Sequence, residues 1–393
     1  MALQSIENAE IEGKKVLARF DFNVPLKNGE ITDTSRVDLA IPTIKYLLSH
    51  GASKLVLMSH HGRPKGEVNL DYSLEPVADY LADKLGEEII LTESAVDCGV
   101  KELLQLKSTK IVLLQNLRFN KEEEANAKEF AQKLSEYGDI YINDAFGAAH
   151  RKHASVHAIN AFFKGHAYAG LLLKKEIDSL NKVLHTPAKP FVAVVGGAKV
   201  SDKIKTIEKL LVSVDKLIIG GAMAYPFLKA KGTQIGKSLC SDEDVKLAQG
   251  ILKADKGSKI LLPVDHLAAE EFGGKPHETS TVKIDENEMG LDIGPNTISL
   301  YSQNLKSAKT VLWNGPMGAF ENPDYAKGTF ALCEIIAGLQ DAFTLVGGGD
   351  SVSAANKSGF AEKFSHISTG GGASLEYIEK GELPGVQALK FGV

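Results

Sequence analysis

Short apolar runs recur along this chain, each closed by a polar or glycine-rich segment and followed by residues with helical spacing. Lys15–Val24 predicts a first strand running into a polar loop, and Lys54–Ser59, Glu88–Leu91, Ile111–Leu114 and Asp139–Asn143 predict further strands. Between them, Arg36–Ser49, Ser73–Leu85 and the highly charged Lys121–Tyr137 read as helices. Gly170–His185 shows longer helical periodicity before meeting Pro187 and Pro190, and predicts a helix joining two domains. The theme then repeats, with strands at Phe191–Val195, Lys216–Ile219, Lys259–Val264, Thr310–Trp313 and Phe343–Val346, and Ser368–Ala373 opening a last helical stretch before a short tail. Strands alternating with helices predict βαβ units, hence an α/β protein of two doubly wound, Rossmann-like parallel-sheet domains.

Composition changes this picture little. A chain of 393 residues exceeds what one core usually covers, which supports two domains. A net charge of −5 argues against wholesale nucleic-acid binding. Cys98, Cys240 and Cys333 are far apart and form no CxxC, so neither a disulfide framework nor a cysteine metal site is expected. The N-terminus lacks the basic-then-apolar pattern of a secretory signal, and no apolar run approaches membrane-spanning length. The expectation is a cytoplasmic protein without a membrane partner.

Arginine placement is more informative. The chain has five arginines, all within its first 151 residues. Strands of a parallel sheet end on one edge, where ligands bind. Arg63, Arg118 and Arg151 each lie just past a predicted strand, and Arg36 follows the loop after the first, so four guanidiniums are expected at one rim with His60. Such a cluster suits an anion carrying several charges. Asp21 and Asn23 add an acceptor and an amide, while Arg19, inside the strand, reads as structural. The plain alternative is that each arginine pairs with a nearby carboxylate. His150, His153 and His157 have the spacing of one helix face, but Arg151 and Lys152 between them oppose a cation.

The second half has glycine where the first has arginine: Gly196-Gly197, Gly220-Gly221, Gly315, Gly347–Gly349 and Gly370–Gly372. After Phe191–Val195 the glycine pair would let backbone N–H groups approach a ligand, and Lys199 and Lys203, four apart, would share a helix face beside a phosphate. Asp350 is suited to a Mg²⁺ ion bridging phosphates, and Glu321 to ribose hydroxyls. Gly232–Ser238 is one residue short of a Walker A loop, and VGGGDSV is not a dinucleotide fingerprint.

Taken together, RFDFNVP, SHHGRP, NLRF, NDAFGAAHR, GGAKVSDK, NGPMGAFE, GGGDS and STGGGASLE resemble, in this order, the motifs of the phosphoglycerate kinase family. The resemblance spans essentially the whole chain. It implies transfer of the ATP γ-phosphoryl group to the carboxylate of 3-phosphoglycerate, giving 1,3-bisphosphoglycerate and ADP, by a monomer whose two domains face each other across a cleft. The implied division is residues 1–169 for 3-phosphoglycerate, 170–185 as the joining helix and 186–377 for Mg-nucleotide, with a tail from about 378 returning to the first domain. Implied substrate contacts are Asp21, Phe22, Asn23, Arg36, Ser59, His60, His61, Gly62, Arg63, Arg118 and Arg151. Implied nucleotide contacts are Gly197, Ala198, Lys203, Gly220, Asn314, Gly315, Pro316, Glu321, Gly348, Gly349, Asp350 and Ser351, with Asp350 nearest the metal. Arg36, Lys199, Gly371 and Gly372 are the implied catalytic groups. The family usually has Glu at Gln115 and Leu at His61, so the chain departs from its pattern there. The alternatives are a nucleotide-dependent oxidoreductase and a non-catalytic phospho-acid binding protein.

Overall fold

The computed structural model describes residues 2–106, 108–255 and 259–392. The chain divides into two compact units, Met1–Asp178 with Glu382–Val393, and Ser179–Gly381.

The first unit holds six parallel strands: β1 (Lys15–Arg19), β2 (Lys54–Met58), β3 (Ile89–Leu91), β4 (Ile111–Leu113), β5 (Ile140–Asn143) and β6 (Ala167–Ala169). Their order is β3-β4-β2-β1-β5-β6. β2, β4 and β5 are buried at every position, as strands covered on both faces by helices must be. The chain winds outward from β1 in one direction and returns to its other side at β5. This makes the C-terminal end of β1 a switch point, where open α/β sheets bind ligands. Helix α1 (Ser35–Ser49) follows β1 and buries Val37, Ala40, Ile44 and Leu47 against the sheet.

The second unit repeats this plan with β7 (Phe191–Val195), β8 (Lys216–Ile219), β9 (Ile260–Leu261), β13 (Thr310–Asn314), β14 (Phe343–Val346) and β15 (His366–Ile367), ordered β9-β8-β7-β13-β14-β15. The all-apolar Phe191–Val195 run is the buried centre of that sheet. An antiparallel sheet of β10 (His266–Ala269), β11 (His277–Glu278) and β12 (Met289–Ile293) is inserted after β9.

Helix α2 (Leu171–Leu184) carries the chain from the first unit into the second, the division falling after Asp178. Its first turn is capped from within the first unit: Asp144 Oδ1, past β5, accepts the Leu173 N–H at 2.9 Å. A Cβ at Gly170 would lie 2.2 Å from the same oxygen, so glycine is required there. Burial lifts the Asp144 carboxyl to about 6. In the second unit lie α3 (Ile204–Ser213), α4 (Gly349–Lys357) and α5 (Gly372–Lys380). The C-terminal residues form α6 (Pro384–Phe391) and belong to the first unit, where Gly385 N–H donates to Ala149 O at 2.9 Å.

Three readings of the sequence are corrected. Lys121–Tyr137 is not one helix but two, Lys121–Glu124 and Lys128–Ser135, broken at Asn126 with φ of 55°. Helical spacing continues through the break, but the Asn126 amide oxygen accepts the Ala158 N–H and holds a left-handed backbone that asparagine tolerates. Lys259–Val264 supplies only the short β9 before the chain reverses into β10. The histidines at 150, 153 and 157 lie in turns before a 3₁₀ segment, Ala158–Phe162, and share no helix face.

Candidate active site

At the edge where β1 ends, Arg36 Nη1 donates to the Asn23 carbonyl at 3.0 Å and pairs with Asp21 Oδ2 at 3.3 Å. The Asn23 side-chain oxygen accepts the Gly62 N–H at 2.9 Å, joining this loop to the one after β2. Gly147 lies under the carboxylate: a Cβ there would meet Asp21 Oδ2 at 2.3 Å. Arg118, nearly buried beyond β4, donates through Nη1 to the Gly62 carbonyl at 2.8 Å and pairs through Nε with Glu124 at 3.3 Å. Burial brings its guanidinium down to about 10, so it stays cationic at neutral pH. Arg151 Nε–H donates to His150 Nε2 at 3.1 Å. Arg63 is exposed and makes no hydrogen bond or ion pair among the described residues.

The alternative of carboxylate pairing therefore holds for Arg36 and for the buried Arg118, and fails for Arg63 and Arg151. The charges of Arg36, Arg118 and Arg19 all reach His60, and that of Arg151 reaches Arg118, so most of the cluster is one electrostatic group. Phe22 and Ser59 are wholly buried: Ser59 Oγ accepts the Phe22 N–H at 2.8 Å and donates to Phe20 O at 3.0 Å. Ser59 thereby fixes the loop after β1. His61, buried, lies with Nε2 3.0 Å from the Val24 carbonyl and sets its ring edge-on to Tyr72. Gln115 is also structural, accepting the Leu74 N–H at 3.0 Å and donating to Ser73 Oγ at 3.0 Å.

Sequence reasoning passed over Asn116. It is fully buried, its Oδ1 accepts the N–H groups of His61 and Arg118, and its Nδ2 donates to the carbonyls of His61 and Tyr72. One amide thus ties the loops after β2 and β4 together. Its position directly after a strand, inside NLRF, was the available signal.

In the second unit the glycines serve two purposes. Gly196, Gly220, Gly221 and Gly315 are glycine because loops crowd one another: added Cβ atoms would meet Pro316 O at 2.0 Å, Met317 Sδ at 2.3 Å, Gly197 N at 2.8 Å and Gly196 O at 2.1 Å. The Gly196 N–H already donates to Asn314 O at 2.9 Å, so it is not the ligand donor expected of it. Gly349, Gly371 and Gly372 instead have open space where a side chain would project. Gly349 begins α4, with Gly348 as its cap at φ +92°, and Gly372 begins α5 after Gly371. Both are helix starts whose first N–H groups lack intrahelical partners, as anion sites require.

Lys199 and Lys203 do not share a helix face. α3 starts at Ile204, Lys203 sits outside it at φ −129°, and Lys199 lies in the irregular segment before it. Lys203 Nζ turns inward to the carbonyls of Gly196 at 2.8 Å and Asn314 at 3.2 Å, and burial lowers its amine to about 8. Lys199, like its neighbour Ala198, is exposed. Ser351 is fully buried and its Oγ accepts the Gly315 N–H, which secures the loop holding buried Pro316. Asn314 Nδ2 donates to Gly347 O at 2.8 Å while its buried Oδ1 is left without a partner. Asp350, in the first turn of α4, and Glu321 are both exposed. No group of three or more His, Cys, Asp or Glu residues among the described residues could hold a metal by itself.

Two doubly wound units, one edged with guanidinium and the other with open glycine backbone at helix starts, define the chain as a phosphotransferase. The family model described as Phosphoglycerate kinase matches residues 6–381. The phosphoglycerate kinases of Bdellovibrio bacteriovorus and Clostridium novyi are 49% and 50% identical to it, over 99% and 98% of this chain and 97% and 98% of theirs. Among solved structures, phosphoglycerate kinase from Coxiella burnetii superposes with a TM-score of 0.90 at 40% identity, covering 99% of both chains. The enzyme from Pyrococcus horikoshii superposes with a TM-score of 0.85 at 32% identity, again over 99% of both. The chain belongs to the phosphoglycerate kinase family. Its activity is reversible phosphoryl transfer between ATP and the carboxylate of 3-phosphoglycerate, and the oxidoreductase and binding-protein alternatives fall away.

Proposed function

We propose that the first unit binds 3-phosphoglycerate through Arg36, Arg63, Arg118, Arg151, His60, Asp21 and Asn23, and that the second binds the nucleotide around Gly348–Ser351, Gly371-Gly372 and Lys199. The observation that carries this reading is the division of the two sheet edges. Every arginine lies in the first unit, and the ligand-accessible glycines Gly349, Gly371 and Gly372 lie in the second. An acid bearing two anionic groups suits forked guanidiniums, and a polyphosphate suits exposed N–H groups.

The chemistry asks little proton handling of the protein. A carboxylate is ionised at neutral pH, so no general base is needed. A carboxylate oxygen forms a bond to the γ-phosphorus as the bond from that phosphorus to the β–γ bridging oxygen breaks, and ADP leaves with the electron pair. Charge spreads over the equatorial oxygens in a loose transition state. Arg36, Lys199 and the N–H groups of Gly371 and Gly372 are the groups assigned to stabilise it. With substrates on separate units, transfer requires the bound carboxylate and γ-phosphate to be brought in line and water to be shut out.

The nucleotide is taken as its Mg²⁺ complex. One exposed carboxylate, Asp350 at a helix start, fits an ion that keeps several waters and takes its remaining ligands from phosphates. The ion would screen charge on the β- and γ-phosphates. The enzyme is expected to work as a monomer in the cytoplasm, on small molecules and without nucleic acid. Among the described residues, no helix is long and apolar enough to cross a membrane. A coupled assay with ATP and 3-phosphoglycerate, repeated with unphosphorylated glycerate, tests the substrate assignment: turnover with glycerate equal to that with its phosphate would remove the arginines from phosphate recognition.

A further inference from the structure

Arg19 is the one arginine outside the proposed ligand set, and it is fully buried at the end of β1. Its Nε–H donates to Ser155 Oγ at 2.9 Å, Nη1 donates to the Phe20 carbonyl, and Nη2 lies 3.1 Å from His60 Nδ1. Ser155 links it to Glu123, also fully buried, which accepts from Ser155 Oγ at 2.6 Å and from the Ser155 N–H at 2.9 Å; burial raises this carboxyl, and the charge of Arg19 opposes that rise. A guanidinium offers only donors and stays protonated. His60 Nδ1 must therefore accept, which leaves the ring proton on Nε2.

We propose that Arg19 is a positioning residue for the acid-binding site: it holds His60 as the neutral Nε2–H tautomer, giving an anionic substrate one fixed donor on an uncharged ring. The inference rests on His60 being a substrate contact and supplies the reason for its protonation state. The groups facing the ring from other elements agree with it. Burial foremost, then the positive potential of Arg19, Arg118 and Arg36, keeps the imidazole well below its usual 6.5, while His153, itself brought down by burial to about 3, faces it uncharged near neutrality. Asp21 Oδ1 lies 4.0 Å from Nδ1, but that nitrogen already accepts from Arg19, and the carboxylate is paired with Arg36. The charges of Arg19, Arg36 and Arg118 already reach the ring. An imidazolium would repel them, whereas a neutral N–H adds a hydrogen bond with no repulsion and no titration near neutrality.

The test is the histidine ¹⁵N spectrum of the full-length chain, with His60→Gln used to assign the His60 signals. The expected result is a protonated Nε2 and an unprotonated Nδ1, unchanged between about pH 6 and about pH 8, as a ring with a strongly lowered pKa requires. A proton on Nδ1, or an imidazolium at neutral pH, overturns the proposal without any variant of Arg19. The second arm pairs Arg19→Met with Glu123→Gln, so that neither leaves a lone buried charge. That protein should lose the single tautomer and show KM for 3-phosphoglycerate raised roughly tenfold, the scale of one hydrogen bond to a charged group, with KM for ATP unchanged. Arg19→Lys, which keeps a donor for Nδ1, should restore the tautomer. Persistence of the Nε2–H form in the double variant, or an unmoved KM for 3-phosphoglycerate, also overturns it. If Arg19 sets the tautomer but His60→Gln leaves that KM unchanged, the assignment of His60 to the substrate is what fails.

Discussion

Lys199 and Lys203 stand four residues apart and face different surroundings. Lys203 is folded onto two carbonyls, where it secures the loops at the end of β7 and β13, whereas Lys199 is exposed. Lys199→Ala and Arg36→Ala should each lower kcat by at least roughly a hundredfold, the lower end for removing one preorganised stabiliser. Near-normal kcat in either variant would take that residue out of the reaction. Asp350→Ala should weaken binding of Mg-ATP much more than of metal-free ATP, measured by calorimetric titration. Equal weakening of both would mean that the carboxylate does not meet the ion. The structure also sorts residues that motif matching treats alike. Phe22, Ser59 and Ser351 fall within the motifs, yet their side chains are buried in contacts that shape the loops.

At the level of elements, α2 depends on a carboxylate it does not contain. Asp144 caps it from the loop after β5, and burial raises that group from its ordinary 3.8 to about 6. Between these values the folded chain holds the proton more tightly than the unfolded chain. This stabilisation is complete below about pH 4 and is lost as pH rises through about 6, a change of order 3 kcal/mol at about 1.4 kcal/mol per unit. Asp144→Asn keeps an acceptor for the Leu173 N–H and removes the ionisation. Its unfolding midpoint should therefore gain several degrees on the parent between about pH 4 and about pH 7.5. Parallel midpoint curves would show that the carboxyl does not titrate in this window. Periodicity located α2 to within a residue at each end, because a long amphipathic face is a local signal. The cap was not legible, since Asp144 and Leu173 belong to different elements. For the same reason the break at Asn126 went unseen: the bond that holds it comes from Ala158.

On the scale of the whole chain, each ligand is assigned to its own unit. Hydrogen exchange of the intact protein should show 3-phosphoglycerate alone protecting amides in residues 1–178, and Mg-ATP alone protecting amides in Ser179–Gly381. At a hundredfold excess over Kd each should stabilise the fold by about 2.7 kcal/mol. Protection of the same unit by both ligands would end the assignment. Much of the architecture was readable in advance, including the repeated βαβ theme, the buried central run Phe191–Val195 and the confinement of arginine to one half. The inserted antiparallel sheet was not, because its strands are short and their pairing is non-local.

By itself the sequence determined which residue types gather at each sheet edge, because strand ends in a parallel sheet share one edge and the period of apolar residues marks where strands end. Tertiary structure alone decided what those residues do there. Whether a glycine admits a ligand or a neighbouring loop, whether a lysine points outward or closes on carbonyls, and which nitrogen of His60 carries the proton all depend on groups far away in the chain. Hydrogen bonding and steric exclusion act over a few ångströms in space, and spacing along the chain carries no record of those contacts.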